Sequence, residues 1–243
     1  MVKKITLGAL LFASSLFATS NEQELIKKVQ EIGIFKAPSL EVNRVIDKGA
    51  LLHVGATNTL QNGQKQPVEA FVTSDLQYVI LGKAFTAQKG EELFIPVDMK
   101  SFTKDAAFSI GTGKKELFLF TDPECPYCVN LEKEVISKLT KEKLNEIKIH
   151  VILFPLPFHK NATNMSYYVM SQKDNASKYK AIKEIMLNND TTYAAAKYST
   201  SELEKLNGSL DKQMEVIQKL GVNGTPTILD INGKKINPSE LLK

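Results

Sequence analysis

The chain holds only two cysteines, and they stand two residues apart in Cys125-Pro126-Tyr127-Cys128. Thiols at that spacing close a disulfide with little backbone movement. A thiolate is the species that attacks and leaves in disulfide exchange, so the pair reads first as a redox couple. The apolar run 117–120 precedes it, and a helical pattern begins at Cys125. The first thiol therefore falls at a helix N-terminus, where free N–H groups and the macrodipole favour an anion. On that helix Cys128 shares a face with Leu131, Val135 and Leu139, which predicts a buried Cys128 and a Cys125 at the rim. Cys125 would attack and Cys128 resolve. Glu124 puts a negative charge beside the nucleophile and pushes its thiol the other way, and the sequence leaves the sum open.

Other chemistries of a cysteine pair fit less well. A zinc site needs two further ligands, and His150 and His159 lack the usual H-x3-5-H spacing. Haem attachment requires a histidine after the second cysteine, where Val129 stands. A purely structural disulfide would close too short a loop to stabilise much. No metal and no cofactor is expected. Asp122 is either a proton acceptor for the pair or a turn former at a strand end. His159 reads as a solvent-facing loop residue rather than part of a substrate groove, and His53 and His150 as structural. Met165, Tyr167, Tyr168 and Met170 read as helix core rather than an apolar substrate patch.

The elements that would position this pair occupy the second half of the chain. Strand 117–120, a helix over 125–146 and strand 147–154 form a βαβ unit, expected to be parallel. A long, mostly helical stretch follows over 162–220. Then comes a hairpin around Asn232-Gly233 and a last helix from Pro238. The first half differs. Residues 22–32 carry Leu25, Ile26, Val29 and Ile32 at helical spacing, and beyond Pro38 short alternating runs separated by Gly49, Asn62-Gly63, Ser74-Asp75 and Gly82 read as antiparallel strands. Such a small sheet leaves an edge strand, which suits pairing with a second copy. Polar, Gly-containing residues 98–113 read as a linker.

The 243 residues carry a net charge of +4, with Lys3 and Lys4 inside an N-terminal segment of basic, apolar and small-residue parts. Residues 1–20 thus read as a secretory signal peptide, whose uncharged apolar run, 5–13, is too short to span a bilayer. Without it, 29 basic residues face 27 acidic ones. They are interspersed rather than striped, which argues against nucleic acid as a partner. The composition is that of a globular protein destined for a periplasm or a similar oxidising space.

Phe120-Thr-Asp-Pro-Glu-Cys-Pro-Tyr-Cys128, with Leu153-Phe-Pro-Leu-Pro157 and Val222-Asn-Gly-Thr-Pro226, resembles the thioredoxin-fold catalytic domain of the DsbC/DsbG family of periplasmic thiol:disulfide interchange proteins. Residues 68–82 resemble that family's cystatin-like dimerisation domain. The resemblance implies an α/β (α+β overall) chain. A signal peptide (1–20) and an N-terminal cystatin-like domain (21–97) precede a linker (98–113) and a thioredoxin-like domain (114–243) with a helical insertion at about 162–220. It implies that Cys125 and Cys128 are catalytic, that Pro126 and Tyr127 complete the active-site loop, and that Thr225 and a cis Pro226 face the sulfurs and bind substrate backbone. It departs from the family in having no cysteines for the second, structural disulfide that members often carry.

The expected function is that of a homodimeric periplasmic isomerase or reductase acting on unfolded or mis-oxidised secreted proteins, with a membrane thiol reductase as redox partner. Two alternatives are a disulfide-donating oxidase, served by a membrane oxidase, and a dimeric chaperone in which the cysteines are secondary.

Overall fold

The computed structural model describes residues 20–242, so the expected signal peptide lies outside the described residues except at Ser20, where the first helix starts. The chain divides into two compact units: one takes the described residues up to Thr59 with Val68–Ala84, the other Leu60–Pro67 with the chain from Phe85 onward. No described helix is long and apolar enough to cross a membrane.

In the first unit, helix α1 (Ser20–Gln30) is followed by strands β1 (Leu40–Asp47), β2 (Leu51–Thr59), β3 (Lys65–Thr73) and β4 (Val79–Ile80), in the sheet order β1-β2-β3-β4. The apolar face read from the sequence packs as expected. Val29 is buried, with Leu25, Ile26 and Ile32 half-buried against a core of Val42, Val45, Val54 and Val72. Gln30 ties helix to sheet, because its side chain donates to the carbonyls of Phe35 and Leu40 and accepts from Val42 N–H at 2.8 Å. His53 is fully buried, stacked on Phe71 at 4.4 Å with Nε2 3.0 Å from Glu69.

The second unit is built on the sheet order β5-β7-β6-β8, from β5 (Phe108–Ile110), β6 (Lys115–Thr121), β7 (Ile147–Leu153) and β8 (Thr227–Asp230). The two central strands run parallel and both edges antiparallel. Strands buried on both faces need continuous apolar runs, and β6 supplies one. Leu117 and Leu119 join one core, while Phe118 and Phe120 join the opposite core with Met99, Ile152, Val216 and Leu229. Helices α4 (Ala162–Ser171), α5 (Asn175–Asn188) and α6 (Thr200–Leu220) make up the expected helical insertion. A capping box at Ser199 and Glu202 starts α6, and Gly221, at φ 64°, ends it.

Three expectations change. The helix expected over 125–146 is three pieces: α2 (Pro126–Glu134), a 3-10 turn (Ile136–Lys138) and α3 (Lys141–Glu146). The consecutive β-branched residues Val135 and Ile136 disfavour continuation, and Thr140 begins a new helix by accepting from Lys143 N–H. Residues 98–113, expected as a linker, hold a 3-10 helix (Met99–Asp105) and β5, and bury Met99, Phe108 and Ile110. Gly113 closes this segment against the α3–β7 junction, where a Cβ would lie 1.9 Å from the carbonyl carbon of Glu146. The C-terminal hairpin keeps its turn at Gly233 but pairs its second arm only at Leu229 and Lys235, and the last helix is a 3-10 turn (Pro238–Leu242).

Candidate active site

Strand β6 ends at Thr121, and the turn Asp122-Pro-Glu leads directly into α2. Cys125 is the N-cap of that helix and Pro126 its first residue, where the missing N–H costs nothing. Cys125 N–H donates to Asp122 O at 3.2 Å, which fixes the turn. The first cysteine therefore stands at a helix N-terminus, and the second follows almost one turn later, facing the sheet.

Both thiols are buried, at 3% and 1% exposure, in place of the expected rim position for Cys125. The reason lies a hundred residues away. The Thr225–Pro226 bond is cis, and the loop carrying it sets the carbonyl of Thr225 3.7 Å from Cys125 Sγ, within reach of an S–H donor. The thiol is thereby covered by protein backbone, while Pro126 and Tyr127 are exposed, the latter at 76%. Burial pushes the Cys128 thiol up to about 12 from an ordinary 9.0, and the nearby Cys125 adds a little in the same direction. The hydroxyls of Thr225 and Thr121 and the N–H of Asp122, 3.5 Å from Cys128 Sγ, oppose this without overcoming it.

Asp122 is wholly buried and its carboxylate is a clamp. One oxygen accepts from Glu124 N–H at 2.7 Å; the other accepts from Leu156 N–H at 2.7 Å and meets His159 Nδ1 at 2.8 Å. Of its two sequence readings, this geometry favours the turn former. His159, expected to face solvent, is drawn in by that carboxylate and keeps 16% side-chain exposure. Glu124 does not lie free beside Cys125 either. It accepts from Asn161 N–H at 2.7 Å and Asn161 Nδ2 at 3.0 Å, at the start of α4. The loop between β7 and α4 is thus tied to the cysteine turn by two carboxylates. Met165, Tyr167 and Met170 are buried in the core, and His150 bridges Ser109 and Glu116 between strands.

One carboxylate escaped the sequence reading. Glu132, on α2, is 5% exposed, and its Oε1 accepts from Ser137 Oγ at 2.7 Å and Tyr179 OH at 3.0 Å. Burial holds its carboxyl above the usual glutamate range, against these two donors and the attraction of Lys183. Its position four residues after Cys128, on the same helical face, was a usable signal.

Residues 102–238 match the thioredoxin-like domain family. No curated protein sequence matches the chain. Solved structures with similarity include a disulfide interchange protein from Neisseria gonorrhoeae, 22% identical over 56% of this chain and 86% of that one, with a TM-score of 0.41. The catalytic domain of Proteus mirabilis ScsC is 22% identical over 59% of this chain and 92% of its own, at 0.39. BdbD from Bacillus subtilis is 18% identical over 60% and 89%, at 0.44. The family match spans more than half of the chain and contains the cysteine pair, the cis-Pro loop and the four-stranded sheet, so the protein belongs to the thioredoxin-like domain family.

Proposed function

We propose that this protein is a thiol:disulfide oxidoreductase in which Cys125 attacks a substrate disulfide and Cys128 resolves the mixed disulfide. The observation that carries this reading is the asymmetry of the pair. Both thiols are buried, but Cys125 stands at the N-cap of α2 beneath the Thr225 carbonyl, whereas the Cys128 thiol is held protonated. A thiol at a helix N-terminus is the better attacking group; one that keeps its proton is fitted to wait. The cis-Pro loop offers backbone groups next to the sulfur, which suits an extended polypeptide as substrate.

Within that class we favour rearrangement or reduction of wrong disulfides in secreted proteins. An isomerase gains from a second unit that pairs two catalytic domains, and the first unit has features suited to pairing. Its edge strand β4 is only two residues long, flanked by Tyr78 and Leu81, which are 69% and 66% exposed. A homodimer, a periplasmic location set by residues 1–20, and a membrane thiol reductase as electron source complete the reading.

Two measurements test it. Cys128→Ser should accumulate mixed disulfides with client proteins, and Cys125→Ser none; equal trapping by both overturns the assignment. In cells the pair should be mainly reduced, whereas a mainly oxidised pair would make the protein a donor oxidase.

A further inference from the structure

Along the sequence Lys205, Lys212 and Lys219 are scattered among acidic and polar residues, and the fold puts them in line. They recur every seven residues on α6, which is two turns less about 20°, so with Ser209 and Val216 they form one face of that helix. At a rise of 1.5 Å per residue the stripe runs about 21 Å. It walls one side of a groove of about 600 Å³. Lys178 on α5 and Lys104 in the 3-10 helix Met99–Asp105 also line this groove, which sets five lysines against two carboxylates, Asp105 and Glu215. Glu215 lies 3.9 Å from Lys219. The other four lysines form no ion pair among the described residues.

We propose that this groove docks an extended acidic segment of a polypeptide partner. Lys178 supplies the sharpest sign of an anion. It is half-buried, and its Nζ donates to the backbone carbonyl of Ala107 at 3.0 Å. A carbonyl dipole replaces lost hydration but leaves the charge uncompensated, so an incoming carboxylate meets a cation already fixed in place. The floor of the groove is apolar, with Met170, Leu206 and Val216 buried beneath the lysines. A segment mixing carboxylates with aliphatic residues matches both features, and at about 3.3 Å per extended residue six or seven residues cover the stripe. A phosphate polymer matches less well. The cations are all lysines, without the arginine fork that takes a phosphate through two bonds. No aromatic side chain lines the groove to stack a base. The contact uses no residue of the cysteine turn or the cis-Pro loop, so it goes beyond the exchange chemistry and stands without it.

Fluorescence anisotropy of a fluorescein-labelled peptide of Glu and Ala, about ten residues long, tests the assignment, with the same peptide carrying Gln for Glu as reference. At low salt the full chain should bind the Glu peptide about tenfold or more tighter than the Gln peptide, and the gap should shrink as salt rises to about 0.3 M. Lys205→Gln combined with Lys212→Gln should weaken the Glu peptide about fivefold or more. Lys114→Gln combined with Lys141→Gln removes the same charge at exposed positions away from the groove and should change it less than about twofold. All these lysines are exposed, and both double variants should reduce a small disulfide as the unmodified protein does, which separates lost docking from a damaged fold. Equal binding of the two peptides, or one common loss in both double variants, overturns the proposal. So does inorganic polyphosphate of matched charge binding more tightly than the Glu peptide through Lys205 and Lys212, since the groove would then be a phosphate site. None of these results bears on the thiols, and failure of the unmodified protein to reduce any disulfide would overturn the exchange reading alone.

Discussion

The burial of Cys128 yields a rate. In Cys125→Ser, Cys128 is the only thiol, and the repulsion from Cys125, the smallest influence on it, is gone while burial remains. A thiol raised from 9.0 to about 12 has about a thousandfold less thiolate near pH 7. The more basic thiolate is also more nucleophilic, with a Brønsted slope of about 0.4–0.5, which returns roughly 1.2–1.5 of those three decades. The remainder is a rate roughly 30- to 60-fold below that of N-acetylcysteine toward a small uncharged disulfide. Poor access at 1% exposure lowers it further. Hydroxyethyl disulfide, followed by mass spectrometry of the modified protein, gives the comparison without charge effects. The rate for Cys128 should still climb with pH beyond 9, where the free thiol levels off. If Cys128 reacts within about threefold of N-acetylcysteine at neutral pH, or levels off with it, then burial does not govern this thiol and the division of labour between the cysteines fails.

Three further outcomes follow from neighbouring groups. Asp122→Ala leaves the N–H groups of Glu124 and Leu156 and the His159 ring without their acceptor, and urea unfolding of the reduced protein should show a loss of about 2–4 kcal/mol; a loss below about 1 kcal/mol contradicts the clamp. Gly113→Ala drives a Cβ into the backbone of Glu146 at 1.9 Å and should cost about 3 kcal/mol or more, so an unshifted melting temperature counts against the packing described. The Glu132 carboxyl is raised in the folded state, so the fold binds its proton more tightly than the unfolded chain does. The resulting stabilisation is present below the ordinary value of 4.5 and lost as pH rises through the raised one. Unfolding curves should therefore show Glu132→Gln gaining on the unmodified protein as pH rises from below 4.5 through the raised value, and parallel pH dependences would refute this.

What the sequence disclosed was local. The cysteine spacing, the apolar strand before it and the helix signals after it lie within about a dozen residues, and the strand–helix–strand order is carried by periodicity. What stayed hidden depends on partners far along the chain. Cys125 looked exposed because its cover, Thr225, is 100 residues away. His159 looked solvent-facing because Asp122 stands 37 residues before it. Glu132 was passed over although it shares the helical face of Cys128, because Tyr179, which marks its burial, is 47 residues downstream. Long-range closure of this kind leaves no period to read.

The same blindness governs where the thioredoxin-like unit begins. A fragment cut at Lys114 keeps both cysteines and the cis-Pro loop, and by sequence pattern alone it is complete. It lacks β5, whose three residues pair with Ile149, His150 and Val151 and bury Phe108 and Ile110. It also lacks Met99, fully buried against Phe118 and Phe120 on the opposite face, and Val97, whose N–H donates to Asn232 O at 2.8 Å. Removing them would bare one hydrogen-bonding edge of β7 and open both cores, making a new edge strand prone to pairing with other chains. We therefore place the start of the thioredoxin-like unit ahead of Val97. Aggregation of the shorter fragment would then report a lost sheet edge and say nothing about the chemistry of the thiols.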